Sequence, residues 1–105
     1  MIRRLDETTE REILPGFFAR IVHGVGLTES WVRADAGAAF PAHAHPHEQL
    51  VNVLEGELEL VVGDETYRLT PGTVFVIPSN VPHAGRAVTA CRVLDVFSPA
   101  RDEYR

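Results

Sequence analysis

The chain has 105 residues, a hydrophobic content of 45% and a formal net charge of −5, values typical of one soluble globular domain. The acidic balance, without any run of basic residues, excludes a nucleic-acid surface, which needs clustered positive charge. Every basic side chain is arginine, so chemistry that requires a lysine amine is excluded as well.

The first residues turn acidic instead of apolar, so we expect no signal peptide. A single cysteine, Cys91, cannot form an internal disulfide. No stretch approaches the ~20 apolar residues of a membrane span. These features predict a cytoplasmic protein with neither a nucleic-acid nor a membrane partner.

Residues 1–16 are interpreted as an N-terminal arm, which could be frayed, a helical turn or an edge strand, and residues 17–105 as a single domain. Short segments rich in β-branched and aromatic residues follow, separated by Gly and Pro turns. The predicted strands are 17–23, 28–34, 49–54, 57–62, 66–69, 73–77, 84–88 and 91–97. The segment 73–77 is nearly all apolar and is expected to be buried on both faces. This order, without an amphipathic helix, predicts an all-β sandwich or barrel.

Three of the five histidines fall within five residues, at His43, His45 and His47, and His83 follows later behind a proline-containing loop. Alternate residues of a strand share a face, so His43, His45 and Gln49 are expected to point to one place. Imidazole nitrogens bind divalent ions, which predicts a metal site. His47 has the same parity but follows a proline, and we expect it beside the ligands or in solvent.

On the last predicted strand, Cys91, Val93, Asp95 and Phe97 share one face. A carboxylate in an otherwise apolar row needs a partner or a purpose. Asp95 could move a proton beside the metal, with a pKa raised by burial, or it could form a structural ion pair with an arginine.

Arg101 comes just after this strand. Its planar guanidinium could clamp a substrate carboxylate with two parallel hydrogen bonds. The alternative is that Arg101 pairs with Asp102 or Glu103 in a polar tail.

Two spaced motifs resemble those of the cupins, whose fold is a double-stranded β-helix or jelly-roll barrel. The first runs from Gly37 through His-x-His and Gln49 to Gly56, with Gln where most cupins have Glu. The second begins at Gly72 and continues as Pro-x-Asn-x-x-His, with Asn80 where Gly is usual and Ala87 where Asn is common.

The segments His-x-His-Pro-His-Glu-Gln and Pro-Ser-Asn-Val-Pro-His and the ending Leu-Asp-Val-Phe-Ser-Pro-x-Arg resemble the KdgF family of small pectin-degradation cupins. The resemblance implies conversion of 4,5-unsaturated monouronates to 4-deoxy-5-keto-uronates, and a homodimer. It also implies metal ligands at His43, His45, Gln49 and His83, and active-site residues at Asp95, Phe97 and Arg101.

The proposed ligands are all neutral, so the ion would keep its full charge and attract an anionic substrate. This disfavours, but leaves open, an Fe(II) dioxygenase, and a sugar- or small-acid-binding protein without turnover is the other alternative. The ion could be nickel, zinc, manganese or iron, since all accept imidazole and amide donors.

Overall fold

The computed structural model describes all 105 residues and contains ten strands and two short 3₁₀ turns. The strands are β1 (Arg11–Leu14), β2 (Phe17–His23), β3 (Thr28–Ala34), β4 (Ala39–His43), β5 (Glu48–Glu55), β6 (Leu58–Val62), β7 (Glu65–Leu69), β8 (Val74–Ile77), β9 (His83–Ala87) and β10 (Cys91–Ser98). The 3₁₀ turns are Leu5–Glu7 and Asp102–Tyr104. The all-β prediction is confirmed, and each predicted strand matches an observed one to within one residue at either end.

The strands form two antiparallel sheets. One has six strands in the order β1-β2-β3-β10-β5-β8, and the other has four in the order β4-β9-β6-β7. A cluster of 13 buried hydrophobic residues contributed by both sheets forms the core. Its largest fully buried members are Leu60 and Ile77, and Phe97 is equally buried. No helix is long and apolar enough to cross a membrane.

Two strands lie outside the predicted set, although an edge strand was one of the alternatives for residues 1–16. β1 pairs with β2 at the edge of the six-stranded sheet, so residues 1–16 contain both a 3₁₀ turn and an edge strand. β4 pairs with β9, and its sequence Ala-Phe-Pro-Ala-His contains a proline that can occupy only an edge or an irregular position. β4 is indeed the edge strand of its sheet.

The prediction that residues 73–77 are buried on both faces is wrong. β8 is the other edge of the six-stranded sheet, and Val74 and Val76 on its outer face are 55% and 51% exposed. Only the inner face is covered, where Ile77 is completely buried. The apolar side chains of β8 therefore form part of an exposed outer face of the sheet, which continues onto β5 at Leu50 and Leu54.

Candidate metal centre

Three histidines converge at one end of the space between the sheets. His43 ends β4 and His83 begins β9, and the two are directly paired in the sheet. His45 lies in the loop before β5, with its ring centroid 5.0 Å from that of His83. One ring nitrogen from each lies within 4.8 Å of the other two, so the three could hold a metal ion.

The expectation that His43 and His45 share a strand face is wrong, because β4 ends at His43 and β5 begins only at Glu48. His45 is brought into place by a contact between loops. The backbone N–H of Asn80, in the loop after β8, donates to the carbonyl of His45 at 2.8 Å. The hydroxyl of Ser79 donates to the Pro46 carbonyl at 2.6 Å. Residues of the second cupin motif therefore hold the histidine loop of the first motif in place.

Backbone carbonyls set the tautomer of all three rings. The Nδ1 atoms of His43, His45 and His83 lie 3.2, 3.0 and 2.9 Å from the carbonyl oxygens of Pro41, His47 and Val81. A carbonyl can only accept, so each Nδ1 carries the proton and each Nε2 of a neutral ring keeps its lone pair. Such carbonyl contacts are the usual way in which metal-binding histidines are oriented.

Gln49, 7% exposed at the start of β5, adds a fourth donor atom. Its Nε2 donates to Asp95 Oδ1 at 3.0 Å, which turns its Oε1 toward His45 Nε2 at 3.1 Å. With Nδ1 protonated, these two atoms are both acceptors and cannot bond to each other. A cation bound by both atoms would satisfy both lone pairs, since imidazole nitrogen and amide oxygen are accepted ligands of divalent ions. The residues therefore fit a divalent metal ion.

His45 and His83 are neutral at physiological pH. Burial is the main reason that the pKa of His45 is lowered to about 4, and the charges of Arg101 and His83 lower it further. Burial also lowers the pKa of His83, which lies beside His43 and Arg101. Neutral imidazole is the form that binds metals, so these side chains can bind an ion without first losing a proton.

Asp95 lies on the inner face of β10, between Val93 and Phe97, and lines the same cavity as the histidines. Burial raises its pKa to about 6, against the opposing effects of the Gln49 hydrogen bond and the Arg101 charge. A carboxyl group with a pKa near neutrality can both accept and return a proton.

Arg101 lines the cavity next to Asp95, and its side chain is 14% exposed. Its Nε donates to Glu103, so the tail pairing foreseen as an alternative is present as well. Its guanidinium carbon lies 4.9 Å from the centre of the Phe97 ring. Phe97 itself is 1% exposed and packs edge-on against His45 and His47.

The cavity has a volume of about 350 Å³ and a mostly apolar lining. Its polar side chains gather at the histidine end. All of the expected site residues except His45 line this cavity, and His45 lies next to the lining residues His43 and His83. The polar lining residues are His43, Gln49, His83, Asp95, Arg101 and Tyr104.

His47 lies beside the histidine group, one of the two positions expected for it. It is 7% exposed, is not among the three grouped histidines, and contributes its backbone carbonyl to His45. One feature of the site was not anticipated. Tyr104, in the C-terminal 3₁₀ turn, lines the cavity, and no motif in the sequence indicated that the tail returns there.

Comparison with known proteins agrees with this architecture. The Cupin domain family matches residues 30–97. L-ectoine synthase of Nocardia farcinica is 34% identical over 108 residues, which cover 94% of this chain and 82% of that protein. The structure of KdgF from Halomonas sp. is 34% identical with a TM-score of 0.89 and 95% of both chains covered. An RmlC-like cupin from Shewanella frigidimarina is 31% identical with a TM-score of 0.90, over 95% of this chain and 91% of that one.

The family match covers more than half of the chain, and the KdgF structure superposes over nearly its whole length. The chain is therefore a member of the cupin family, similar to the small cupin KdgF.

Proposed function

We propose that this protein is a metal-dependent, non-redox enzyme of pectin or alginate breakdown that converts 4,5-unsaturated monouronates to 4-deoxy-5-keto-uronates. The proposed metal ligands are His43, His45, Gln49 and His83, and the proposed active-site residues are Asp95, Phe97 and Arg101. The likeness to KdgF from Halomonas supports the assignment.

One observation carries the proposal. Gln49 joins the histidine cluster to Asp95 through a single amide, and Arg101 lies on the same cavity wall. The histidine cluster, the Asp95 carboxyl group and the Arg101 guanidinium therefore lie around the same cavity, where they could bind a metal, move a proton and bind a carboxylate. An anionic sugar acid that must lose and regain a proton fits these three functions.

The ion would be nickel, zinc, manganese or iron, and the neutral donor set does not distinguish them. When bound, it would supply a Lewis acid whose charge is not cancelled by its ligands. Arg101 would bind the substrate carboxylate through its Nη1 and Nη2 groups, which hydrogen-bond to no other residue, while Nε is held by Glu103. Phe97 would form the apolar wall of the pocket.

Asp95 would move the proton. It takes the proton of the C1 hydroxyl group as the bond between C1 and the ring oxygen breaks, which leaves an aldehyde at C1 and an enolate at C5. Asp95 then gives this same proton to C4 as the enolate becomes a ketone. The substrate and product are isomers, so no oxidant or other reactant is consumed.

The test is turnover of a purified unsaturated monouronate, followed by loss of the ultraviolet absorbance of its conjugated double bond. Asp95→Asn should abolish the acceleration while the metal content stays unchanged. Glu48→Gln, which removes an exposed carboxylate from the start of β5, is the matched control and should leave the rate as it is. An Asp95→Asn enzyme with full rate would exclude the role of Asp95.

The likeness to L-ectoine synthase supports a second candidate activity. Formation of L-ectoine by the purified protein, from the substrate of that enzyme, would favour it over uronate conversion. Oxygen consumption with Fe(II) would favour a dioxygenase, and calorimetric binding of the uronate without turnover would favour a binding protein.

We also propose a homodimer, formed through the outer face of the six-stranded sheet. Four exposed apolar side chains lie on that face, at Leu50, Leu54, Val74 and Val76, with 36 to 55% exposure. A patch of this kind on neighbouring strands commonly marks a protein contact. Light scattering should give the mass of two chains, and Val74→Glu together with Val76→Glu should give one. A wild-type monomer at micromolar concentration would exclude the dimer.

A cytoplasmic location is proposed on the basis of Cys91, which is buried, unpaired and does not need an oxidising compartment. Cell fractionation tests it, and recovery in an extracellular or periplasmic fraction would contradict it.

A further inference from the structure

The last five residues, Arg101–Arg105, fold back onto the cavity and are called here the C-terminal turn. Within it, the Arg101 guanidinium lies between two aromatic rings, 4.9 Å from the centre of Phe97 and 4.4 Å from that of Tyr104. The two rings also touch edge to face, with centroids 6.0 Å apart. Aromatic faces attract a guanidinium and restrict its plane, so this arrangement fixes the direction of the remaining N–H groups.

Phe97 and Tyr104 differ in how they are held. Phe97 belongs to β10 and is 1% exposed, so it forms a fixed wall of the cavity. Tyr104 belongs to a three-residue 3₁₀ turn after the last strand and has no sheet partner. The position of Arg101 therefore depends on what holds Tyr104.

Contacts with distant segments hold the C-terminal turn. Arg11 of β1 donates through Nη2 to the backbone carbonyl of Tyr104, and its guanidinium lies 5.9 Å from the Tyr104 ring centre. The backbone N–H of Arg101 donates to the fully buried Thr28 hydroxyl at 2.7 Å. Arg105 Nη2 donates to the Gly24 carbonyl at 3.2 Å. The arm, the β2–β3 turn and the tail thus meet beside Arg101.

We propose that Tyr104 is a positioning residue that holds the Arg101 guanidinium against Phe97 with its Nη groups directed into the cavity, and that Arg11 holds Tyr104. As a statement about substrate binding this rests on the proposed function, because Arg101 is there the group that binds the carboxylate. The claim that Tyr104 fixes the conformation of the Arg101 side chain depends only on the geometry. In this proposal the N-terminal segment 1–16 contributes to the site through Arg11.

The ring, and not the hydroxyl, is the part of Tyr104 that faces the guanidinium. Tyr104→Leu should therefore raise KM for the unsaturated monouronate roughly 3- to 30-fold, the range expected for one lost cation–aromatic contact, and change kcat much less. Tyr104→Phe keeps the ring and should rescue most of this loss. Tyr67→Leu is the matched control, because Tyr67 lies on β7, 38% exposed, packed on Phe75 and outside the cavity lining.

Arg11→Gln provides a second approach from a different element, in case Tyr104→Leu disturbs folding. It removes the charge that faces the Tyr104 ring and weakens the donor to its carbonyl, so it should raise KM in the same direction by a smaller factor. Arg3→Gln, at an exposed arginine whose one hydrogen bond is to its neighbour Ile2, is the control. Metal content and the unfolding midpoint are measured for every variant.

An NMR measurement that needs no substrate tests the position of Arg101 independently of the proposed function. Ring currents should displace the Nε–H resonance of Arg101 from those of exposed arginines in a nitrogen–proton NMR spectrum, where Arg101→Lys identifies it by its disappearance. Tyr104→Leu should move this resonance toward the exposed group, and Tyr104→Phe should leave it displaced. If the wild-type protein does not convert the uronate, the proposed function fails, and this spectrum still decides the positioning.

The proposal is overturned if Tyr104→Leu leaves both the Arg101 resonance and KM unchanged. It is equally overturned if Tyr104→Phe is as impaired as Tyr104→Leu, because the hydroxyl would then be the active part. A displaced wild-type resonance that collapses in Tyr104→Leu and shifts partly in Arg11→Gln supports it.

Discussion

The side chain of Gln49 donates from Nε2 to Asp95 Oδ1 at 3.0 Å, while its Oε1 lies 3.1 Å from His45 Nε2. One amide therefore links a carboxylate on β10 to the histidine cluster. The carboxylate decides which end of the amide faces the histidines, and the amide in turn places a donor on the carboxylate. A change at Gln49 should therefore alter both the metal site and the ionisation of Asp95.

Gln49→Glu should separate these two effects. Glutamate is the ligand of most cupins at this position, so the ion should still bind. The Nε2 donor is lost, however, and a second carboxylate is placed beside Asp95, which raises the pKa of one of the pair. We expect turnover of the uronate to fall at least about tenfold while elemental analysis still finds the metal, and the metal-free protein to lose about 1–3 kcal/mol of unfolding free energy.

The double variant Gln49→Glu with Asp95→Asn is the control for that prediction. It exchanges donor and acceptor, so the hydrogen bond can form again with the charge repulsion removed. Stability measured by denaturant unfolding should recover, whereas activity should not, because the proton carrier is absent. Recovery of activity in the double variant would argue that Asp95 acts only through Gln49.

Removal of the metal should lower the stability measurably. In its absence the lone pairs of His45 Nε2 and Gln49 Oε1 face each other, an arrangement that a bound cation relieves. At a free concentration of 100 times Kd, an ion that binds only the folded state adds about 2.7 kcal/mol, or roughly 10 to 20 °C in Tm for a chain of this length. Chelator-treated protein, titrated with each candidate ion in thermal unfolding, would show the effect.

His45→Ala should abolish that stabilisation, since it deletes the ligand nearest to Gln49. His23→Ala is the matched control, because His23 hydrogen-bonds to Thr28 and lies outside the group of three histidines. A titration that stabilises His45→Ala as much as the wild-type protein would place the ion elsewhere.

Strand positions were predictable from this sequence because alternating burial is a local property. β3, Thr-Glu-Ser-Trp-Val-Arg-Ala, alternates strictly between buried and partly exposed residues and was located without error. β4 was missed, and β1 was only one of three alternatives for residues 1–16. Four residues with one half-buried member, or five that include a proline, contain no such alternation. Their existence depends on the neighbours with which they pair.

The candidate metal ligands could be predicted from the sequence, but the contacts that bring them together could not. The motif spacing identified the three histidines, although His45 lies in a loop that the backbone of Asn80 holds in place. Tyr104 could not be predicted, because its return to the cavity depends on Arg11, which is distant in sequence. Contacts of this range leave no periodic signal in either segment.

Asn80 has a positive φ of 64°, and it stands where the second cupin motif usually has glycine. Asparagine adopts this left-handed conformation more readily than other residues with a Cβ atom, which explains why the replacement is accepted. Asn80→Gly should therefore preserve metal binding and change the unfolding free energy by no more than about 1 kcal/mol. Asn80→Val should cost about 1–3 kcal/mol and weaken metal binding, because strain there displaces the N–H that holds His45. Equal metal affinities for the two variants would contradict this role.

Gly85 on β9 lets the Phe40 ring approach the sheet. A Cβ atom at this position would lie 2.7 Å from Phe40 Cζ and 2.9 Å from the Glu59 carbonyl oxygen, so the ring must move if alanine is present. Phe40 packs edge-on against His43 and His83, with centroids 5.7 and 6.4 Å away. Gly85→Ala should therefore lower stability by about 1–3 kcal/mol and reduce metal affinity as well.

Gly26→Ala is the matched control for that change, because nothing lies within 4 Å of a Cβ atom there and Gly26 does not have the left-handed φ of the turn glycines. It should leave both quantities as they are in the wild-type protein. Calorimetric metal titration of the two variants distinguishes a local effect on the histidines from a general loss of stability. If Gly85→Ala unfolds more easily yet binds the ion with unchanged affinity, the packing of Phe40 supports the sheet alone. A parallel loss of both would show that the ring supports the two histidines at the strand ends, which is the arrangement that the paired residues His43 and His83 require.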